Sequence, residues 1–155
     1  MASHREAVQN DKDYVDPNPL PPSVPHVDEL GTTSAPLKSA AFFIGDYCRE
    51  VNEDFMLCKN EDRDPAHCLK EGRKVTRCAQ EIVGKIRESC LAEFDAHWKC
   101  LENNNQYLQA CRKPEKALNL CVFTKIGVKK SIPGAPEGEP QVFEKKYPIF
   151  SRVQK

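Results

Sequence analysis

The chain has 155 residues, 39% of them hydrophobic and 30% charged, with 23 Lys and Arg against 23 Asp and Glu and so a formal net charge of zero. That balance excludes a general basic field for nucleic acid and an acidic steering surface. The length suits one domain, and a mean hydropathy of −0.63 implies a small core that needs covalent staples.

Residues 1–33 open without an apolar run and carry acids early, so they resemble neither a secretory signal nor an Arg-rich transit peptide. Five of the twelve prolines fall here (Pro17, Pro19, Pro21, Pro22 and Pro25), which marks an extended, irregular N-terminal arm. A helix is expected after Ser34, a good N-cap ahead of Ala35-Pro36. Its apolar stripe runs through Leu37, Ala40, Ala41, Ile44, Cys48, Val51, Phe55 and Cys58, with a break expected near Val51-Asn52. The polar stretch Asn60–Asp64 is a turn, and Asp64 is expected to cap a second helix with Pro65 at its first position. Cys68, Gly72, Val75, Cys78, Ala79, Ile82, Val83 and Ile86 form the inner stripe of that helix. Ser89 is a candidate cap for a third helix carrying Cys90, Phe94, His97, Trp98 and Leu101, and Asn103-Asn104-Asn105 is the next turn. A fourth helix carries Cys111, Leu118, Cys121 and Val122, starts irregularly at Pro114, and stops at Gly127. Residues 128–155, with Pro133, Pro136, Pro140 and Pro148, form an extended C-terminal arm. The expected organisation is therefore arm 1–33, first hairpin 34–88, second hairpin 89–127 and arm 128–155. No run of 18 apolar residues occurs, so no transmembrane helix is expected and any membrane association is peripheral.

The eight cysteines form a ladder of C-x9-C repeats: Cys48, Cys58, Cys68 and Cys78 are evenly stepped, and Cys90–Cys100 and Cys111–Cys121 repeat the step. Ten residues are about 2.8 helical turns, so both cysteines of a repeat share one broad face, roughly 15 Å apart. Two such helices placed antiparallel match at both rungs. Since the turn signals lie between Cys58 and Cys68 and between Cys100 and Cys111, the geometry favours Cys58–Cys68 inside Cys48–Cys78, and Cys100–Cys111 inside Cys90–Cys121. The expected fold is all-α: two tandem disulfide-stapled antiparallel helical hairpins with extended arms.

Other chemistry is disfavoured by spacing. Structural zinc sites use cysteines two to four residues apart, and no C-x2-C occurs, so no metal is expected. His67 and His97 read as surface or partly buried histidines. No C-x-x-C marks a redox enzyme, and no phosphate loop or nucleophile elbow is present. Glu50, Glu53, Asp54, Glu61, Asp62 and Asp64 read as a solvated acidic face, and Phe55, Phe94 and Trp98 as hairpin core. Phe42-Phe43 is expected to dock on the second hairpin or on a partner. Val142-Phe143, Tyr147, Ile149 and Phe150 give the C-terminal arm anchors for another protein, weighed evenly against a disordered tail.

Paired C-x9-C helices resemble the coiled-coil-helix-coiled-coil-helix family of the mitochondrial intermembrane space. The matching stretches are Asp54-Phe55-Met56-Leu57-Cys58, Asp64-Pro65, Cys68-Leu69-Lys70-Glu71-Gly72, Trp98-Lys99-Cys100, Cys111-Arg112-Lys113 and Cys121-Val122, within residues 40–127. The resemblance implies import without a cleaved presequence and oxidation by the disulfide relay oxidoreductase, which would account for paired cysteines without a secretory signal. It further implies a structural, non-catalytic role on the intermembrane-space face of respiratory complex I, with membrane-arm subunits as partners and no flavin, iron–sulfur cluster or quinone site in this chain. The competing readings are a soluble assembly factor or copper carrier, which needs cysteines beyond the bridges, and a weaker one, a thiol oxidoreductase.

Overall fold

The computed structural model describes residues 20–145, apart from residues 29, 65 and 137. Pro65, the N-terminal arm before residue 20, and Tyr147, Ile149 and Phe150 lie outside the described residues. The architecture is all-α, as the cysteine ladder led one to expect. Among the described residues four helices follow in order: α1 (Ser34–Tyr47), α2 (Arg49–Glu61), α3 (Leu69–Asn103) and α4 (Arg112–Lys125), with a 3-10 turn at Leu108–Cys111 leading into α4.

The spine is α3, against which α1, α2 and α4 all pack. Its buried residues, Ile82, Ile86, Cys90, Phe94, His97 and Leu101, recur every three or four positions and so lie along one stripe. A helix junction was expected at Ser89 and is found one residue later: α3 is two helical stretches joined across a kink at Cys90 (φ −136°, ψ 35°), so Cys90 rather than Ser89 stands at the bend. At this kink the Ser89 carbonyl accepts a hydrogen bond from Lys125 Nζ at 2.9 Å, which ties α4 to the bend.

Other helix bounds also differ from expectation. Ser34 is the first helical residue rather than the cap: Thr33 holds the N-cap position without a side-chain bond, and the Ser34 hydroxyl accepts instead from Gln106 Nε2 at 2.6 Å. The break in the first hairpin's leading arm comes at Cys48 (φ −100°, ψ 23°), not near Asn52. Asp64 caps a tight turn rather than a helix, its carboxylate accepting from Ala66 N–H and its carbonyl from His67 N–H. Helix α3 then begins only after Cys68, whose carbonyl takes the first helical bond from Gly72. The turn after α3 places Asn105 (φ 50°) and Gln106 (φ 59°) in the left-handed region, which asparagine tolerates well. Gly127 (φ 77°) ends α4 as expected, its N–H bonded back to Val122.

The main core forms where α1, the middle of α3 and α4 meet, from Ala40, Phe43, Ile82, Ile86, Phe94, Leu118, Val122 and Val128 with the flanking cysteines. Of the two expected homes for Phe42-Phe43, the second hairpin is the one found. Phe43 is fully buried and meets Phe123 of α4 edge to face, with ring centroids 6.3 Å apart. α2 is different: it contributes no buried residue, and Met56 and Leu57 are exposed. Phe94 is core as expected, Trp98 is half-buried and packs against that core, and Phe55 is half-buried outside it.

The described parts of both arms are irregular but lie on the chain itself. Arg77 and Gln80 of α3 donate to the carbonyls of His26 and Asp28. Val128, Lys130 and Phe143 are buried, so Phe143 serves this chain's own interior and is not an anchor held out for another protein.

Truncating Phe43 to Ala should cost about 3–5 kcal/mol, because the site is closed on every side. Leu57→Ala, at a position 62% exposed, should stay within about 0.5 kcal/mol. Urea unfolding of both oxidised variants checks the contrast.

Candidate functional site

Four disulfides join the helices: Cys48–Cys78, Cys58–Cys68, Cys90–Cys121 and Cys100–Cys111, with Cα separations of 5.9, 6.0, 6.0 and 5.8 Å. They lie nested in two pairs, one per hairpin. No cysteine is free. The first cysteine of every C-x9-C repeat has a backbone just outside the helical region: Cys48 (φ −100°, ψ 23°), Cys68 (φ −106°, ψ 29°), Cys90 (φ −136°, ψ 35°) and Cys111 (φ −111°, ψ 22°). Cys48, Cys68 and Cys111 hold the N-cap positions of α2, α3 and α4, and Cys90 makes the bend inside α3. The second cysteine of each repeat, Cys58, Cys78, Cys100 or Cys121, sits within a helix.

Every bridge thus joins one bend cysteine to one helical cysteine. A residue outside helical φ/ψ is released from the fixed Cβ direction of a helix, so its sulfur can be aimed across at the facing arm. Cysteine offers no oxygen to cap the helix it begins, and these starts make no side-chain cap bond. A missing cap is worth about 1 kcal/mol, less than the roughly 2–4 kcal/mol of a bridge.

A second feature lies deeper. The fully buried carboxylate of Glu115 on α4 pairs with Arg112 one turn earlier and, at 2.6 Å, with Lys130 Nζ from the segment after α4. The Lys130 ammonium also donates to Asn119 Oδ1 at 3.3 Å and stands 5.0–5.5 Å from the ring centres of Phe42, Phe43 and Phe143. The aromatic cage and the carboxylate compensate a charge that would otherwise be costly to bury. Even so, burial holds the Lys130 pKa below the usual lysine value, against the opposing hydrogen bond from Glu115.

His97, expected at the surface or half-buried, is 1% exposed, and its Nδ1 lies 2.7 Å from Ser39 Oγ on α1. Burial pushes its pKa down to about 4; Glu115 pulls the other way, while Lys130 and Arg112 reinforce the effect of burial. The imidazole is therefore neutral at physiological pH. Ser39 and His97 form a hydrogen-bonded pair of the sort used in nucleophilic catalysis, but Ser39 is itself only 2% exposed, and a substrate cannot reach it. The pair serves to lock α1 onto α3.

The remaining sequence candidates stay apart from this cluster. Glu50, Glu53, Asp54, Glu61, Asp62 and Asp64 are exposed around the first hairpin. His67 is exposed beside the Cys58–Cys68 bridge. Sequence reasoning missed Ser39, Arg112, Glu115, Asn119 and Lys130. The i,i+3 pair Arg112–Glu115 was readable on α4, but nothing local placed Lys130 over two phenylalanines of α1.

Glu115→Ala should destabilise the protein by about 3–5 kcal/mol, since it leaves Lys130 and Arg112 without their shared partner; thermal and urea unfolding measure it. For His97 the folded pKa of about 4 lies below the ordinary 6.5, so between these values the unfolded chain binds the extra proton. The neutral imidazole's contribution is present above pH 6.5 and is lost progressively as pH falls toward 4, by about 3 kcal/mol in all. His97→Gln should flatten that part of the stability–pH curve, and an unchanged slope would show that other groups set it.

No family model matches the chain. It is 51% identical over 144 residues to the NADH-ubiquinone oxidoreductase 20.8 kDa subunit of Neurospora crassa, covering 92% of this chain and 79% of that one. It is 36% identical over 85 residues to the NADH dehydrogenase (ubiquinone) 1 alpha subcomplex subunit 8-A of Arabidopsis thaliana, covering 55% of this chain and 79% of the relative. The 8-B subunit of the same plant is 35% identical over 94 residues, 59% of this chain and 89% of its own length. The identity spans the cysteine ladder and both hairpins, and four bridges in a twin C-x9-C pattern fit the coiled-coil-helix-coiled-coil-helix architecture. The chain therefore belongs to the family of the NADH dehydrogenase (ubiquinone) 1 alpha subcomplex subunit 8 and its fungal 20.8 kDa counterpart.

Proposed function

We propose that the chain is a non-catalytic accessory subunit of mitochondrial NADH:ubiquinone oxidoreductase, complex I. It lies on the intermembrane-space side of the inner membrane and stabilises the membrane arm by contacts to neighbouring subunits. The observation that carries this reading is the 51% identity, across 92% of the chain, to a protein named as a subunit of that enzyme.

The physical chemistry supports the finer parts. Four bridges require an oxidising compartment, and the intermembrane space with its relay oxidoreductase is one that a mitochondrial protein can reach. No helix among the described residues is long and apolar enough to cross a membrane, which suits peripheral attachment. The buried Ser39–His97 pair and the ion cluster have structural roles, which favours scaffolding over catalysis. The two units, 34–88 and 89–127, are joined through α3 and by the core that α1 and α4 share, so they present one surface to neighbours. The copper-carrier reading needs thiols outside the bridges, and all eight cysteines are bridged.

In native gels of mildly solubilised mitochondria, the chain should co-migrate with the band stained for NADH dehydrogenase activity. Replacing Cys48 and Cys78 together by Ser should lower the amount of assembled enzyme in that band. A small free species carrying all of the chain would refute the subunit role.

A further inference from the structure

The tip of the first hairpin holds more chemistry than a bridge needs. The Sγ atoms of Cys58 and Cys68 and a ring nitrogen of His67 all lie within 4.8 Å of one another. Glu61 Oε2 stands 3.9 Å from His67 Nε2. Two thiolates and an imidazole, with a water completing the set, make a donor set for tetrahedral zinc, with bonds of about 2.3 Å to sulfur and about 2.0–2.2 Å to nitrogen and oxygen. Neighbouring donors in such a site are separated by roughly 3.3–3.8 Å. The histidine needs to close by little more than an ångström, and the two sulfurs need only part from bonding distance. No C-x2-C is needed here, because Cys58 and Cys68, ten residues apart in sequence, are brought together by the two facing arms of a hairpin.

A bridged sulfur has no thiolate to offer, so zinc and this disulfide exclude each other. We propose that the hairpin tip is a redox-gated zinc site, in which the dithiol form binds one Zn²⁺ through Cys58, Cys68 and His67, with water in the fourth position and Glu61 beside the histidine. Opening the S–S bond takes two electrons and two protons: two external thiols supply both and become a disulfide, whereas a phosphine supplies the electrons and becomes its oxide with oxygen from water, which gives the two protons. Zinc binding then displaces the two thiol protons. In a newly made chain the thiols are already present and no reductant is needed. Closing the bridge expels the ion and passes two electrons to an external disulfide oxidant. The inference does not depend on the complex I assignment.

The surroundings single out this bridge. α2, which carries Cys58, has no fully buried residue, so its arm of the tip can swing away from Cys68, which is 1% exposed, while the Cys48–Cys78 bridge and the main core hold. The other tip bridge, Cys100–Cys111, is instead packed against Ala35, Leu101 and Leu108. Its nearest histidine in sequence, His97, is turned into the core against Ser39. His67 and Glu61 have side chains 44% and 76% exposed, and an open groove of about 560 Å³ lined by Asp54, Leu57, Cys58, Glu61 and His67 gives an ion a path in.

The test uses the full-length oxidised protein, titrated with a phosphine reductant in the presence of Zn²⁺. Opened bridges are mapped by alkylation and peptide mass, and bound metal is counted by native mass spectrometry. Co²⁺ in place of Zn²⁺ reports thiolate ligation by its charge-transfer absorption. The form with Cys58 and Cys68 alone free should bind one zinc per chain, and zinc should slow its reoxidation. His67→Ala should weaken binding by more than about tenfold, because even groups that merely hydrogen-bond a zinc ligand are worth about 10–100-fold. As His67 is exposed, that variant keeps its fold. Zinc affinity unchanged in His67→Ala, an opened tip that takes up no zinc, or a different bridge opening first would each overturn the proposal.

Discussion

The fold depends on cross-links placed at both ends of each hairpin. This is clearest for α2, which has thirteen residues and no buried one. Burial of apolar surface is the usual reason a helix stays docked, and α2 supplies little of it: only Val51, half-buried, reaches the main core. Two sulfur–sulfur bonds to the spine helix, and the half-buried Phe55 against Gly72, hold it in place. Once the covalent frame is set, α2 is free to be polar, and its outward face carries acids and two exposed apolar residues. The second hairpin has the frame and a core together, so its stability is spread over more interactions.

The second constraint is ionic. Glu115 and Lys130 lie in the interior with Arg112 and Asn119, and the three phenylalanine rings close the ammonium in. A buried pair of this type contributes little net stability over an apolar substitute, but breaking it is costly. Its value here is positional: the cluster fixes the path of the chain after α4, where the described residues form no helix or strand of their own. His97 and Ser39 play a similar part for α1. The segment after residue 127, although rich in proline, is thus tied to the interior by a lysine and a phenylalanine.

What was legible in the sequence follows from range. The ten-residue cysteine step, the Asn103–Asn105 turn and Gly127 are local signals with strong stereochemical meaning, and from them the all-α double hairpin was readable. Helix starts were misread at Ser34, which is the first residue of α1 behind Thr33, and at Asp64 and Ser89, where a cysteine further along begins or bends the helix. Cysteine has no capping propensity; it occupies those positions because its sulfur must leave the helix direction to reach across. The polar cluster was hidden for a different reason. Phe42 and Lys130 are 88 positions apart, and no periodicity connects them. Leu101, Leu118 and Val122 were read correctly as apolar helix residues, but the same pattern gave no hint that Glu115 lies among them.

The nesting of the bridges has a mechanical consequence. Residues 49–77 lie inside the loop closed by Cys48 and Cys78, and residues 91–120 inside that closed by Cys90 and Cys121. A pull on the two ends of the chain bypasses both loops through the outer bridges. Tension between residues 48 and 121 then passes along the polypeptide only through residues 79–89 of α3, the stretch that holds Ile82 and Ile86 in the core. The same topology governs cleavage: a single cut within either loop leaves its fragments tethered, whereas one between Cys78 and Cys90 divides the molecule into two separately cross-linked halves. That vulnerable stretch is helical throughout, with both isoleucines facing inward, so it offers a protease little extended backbone.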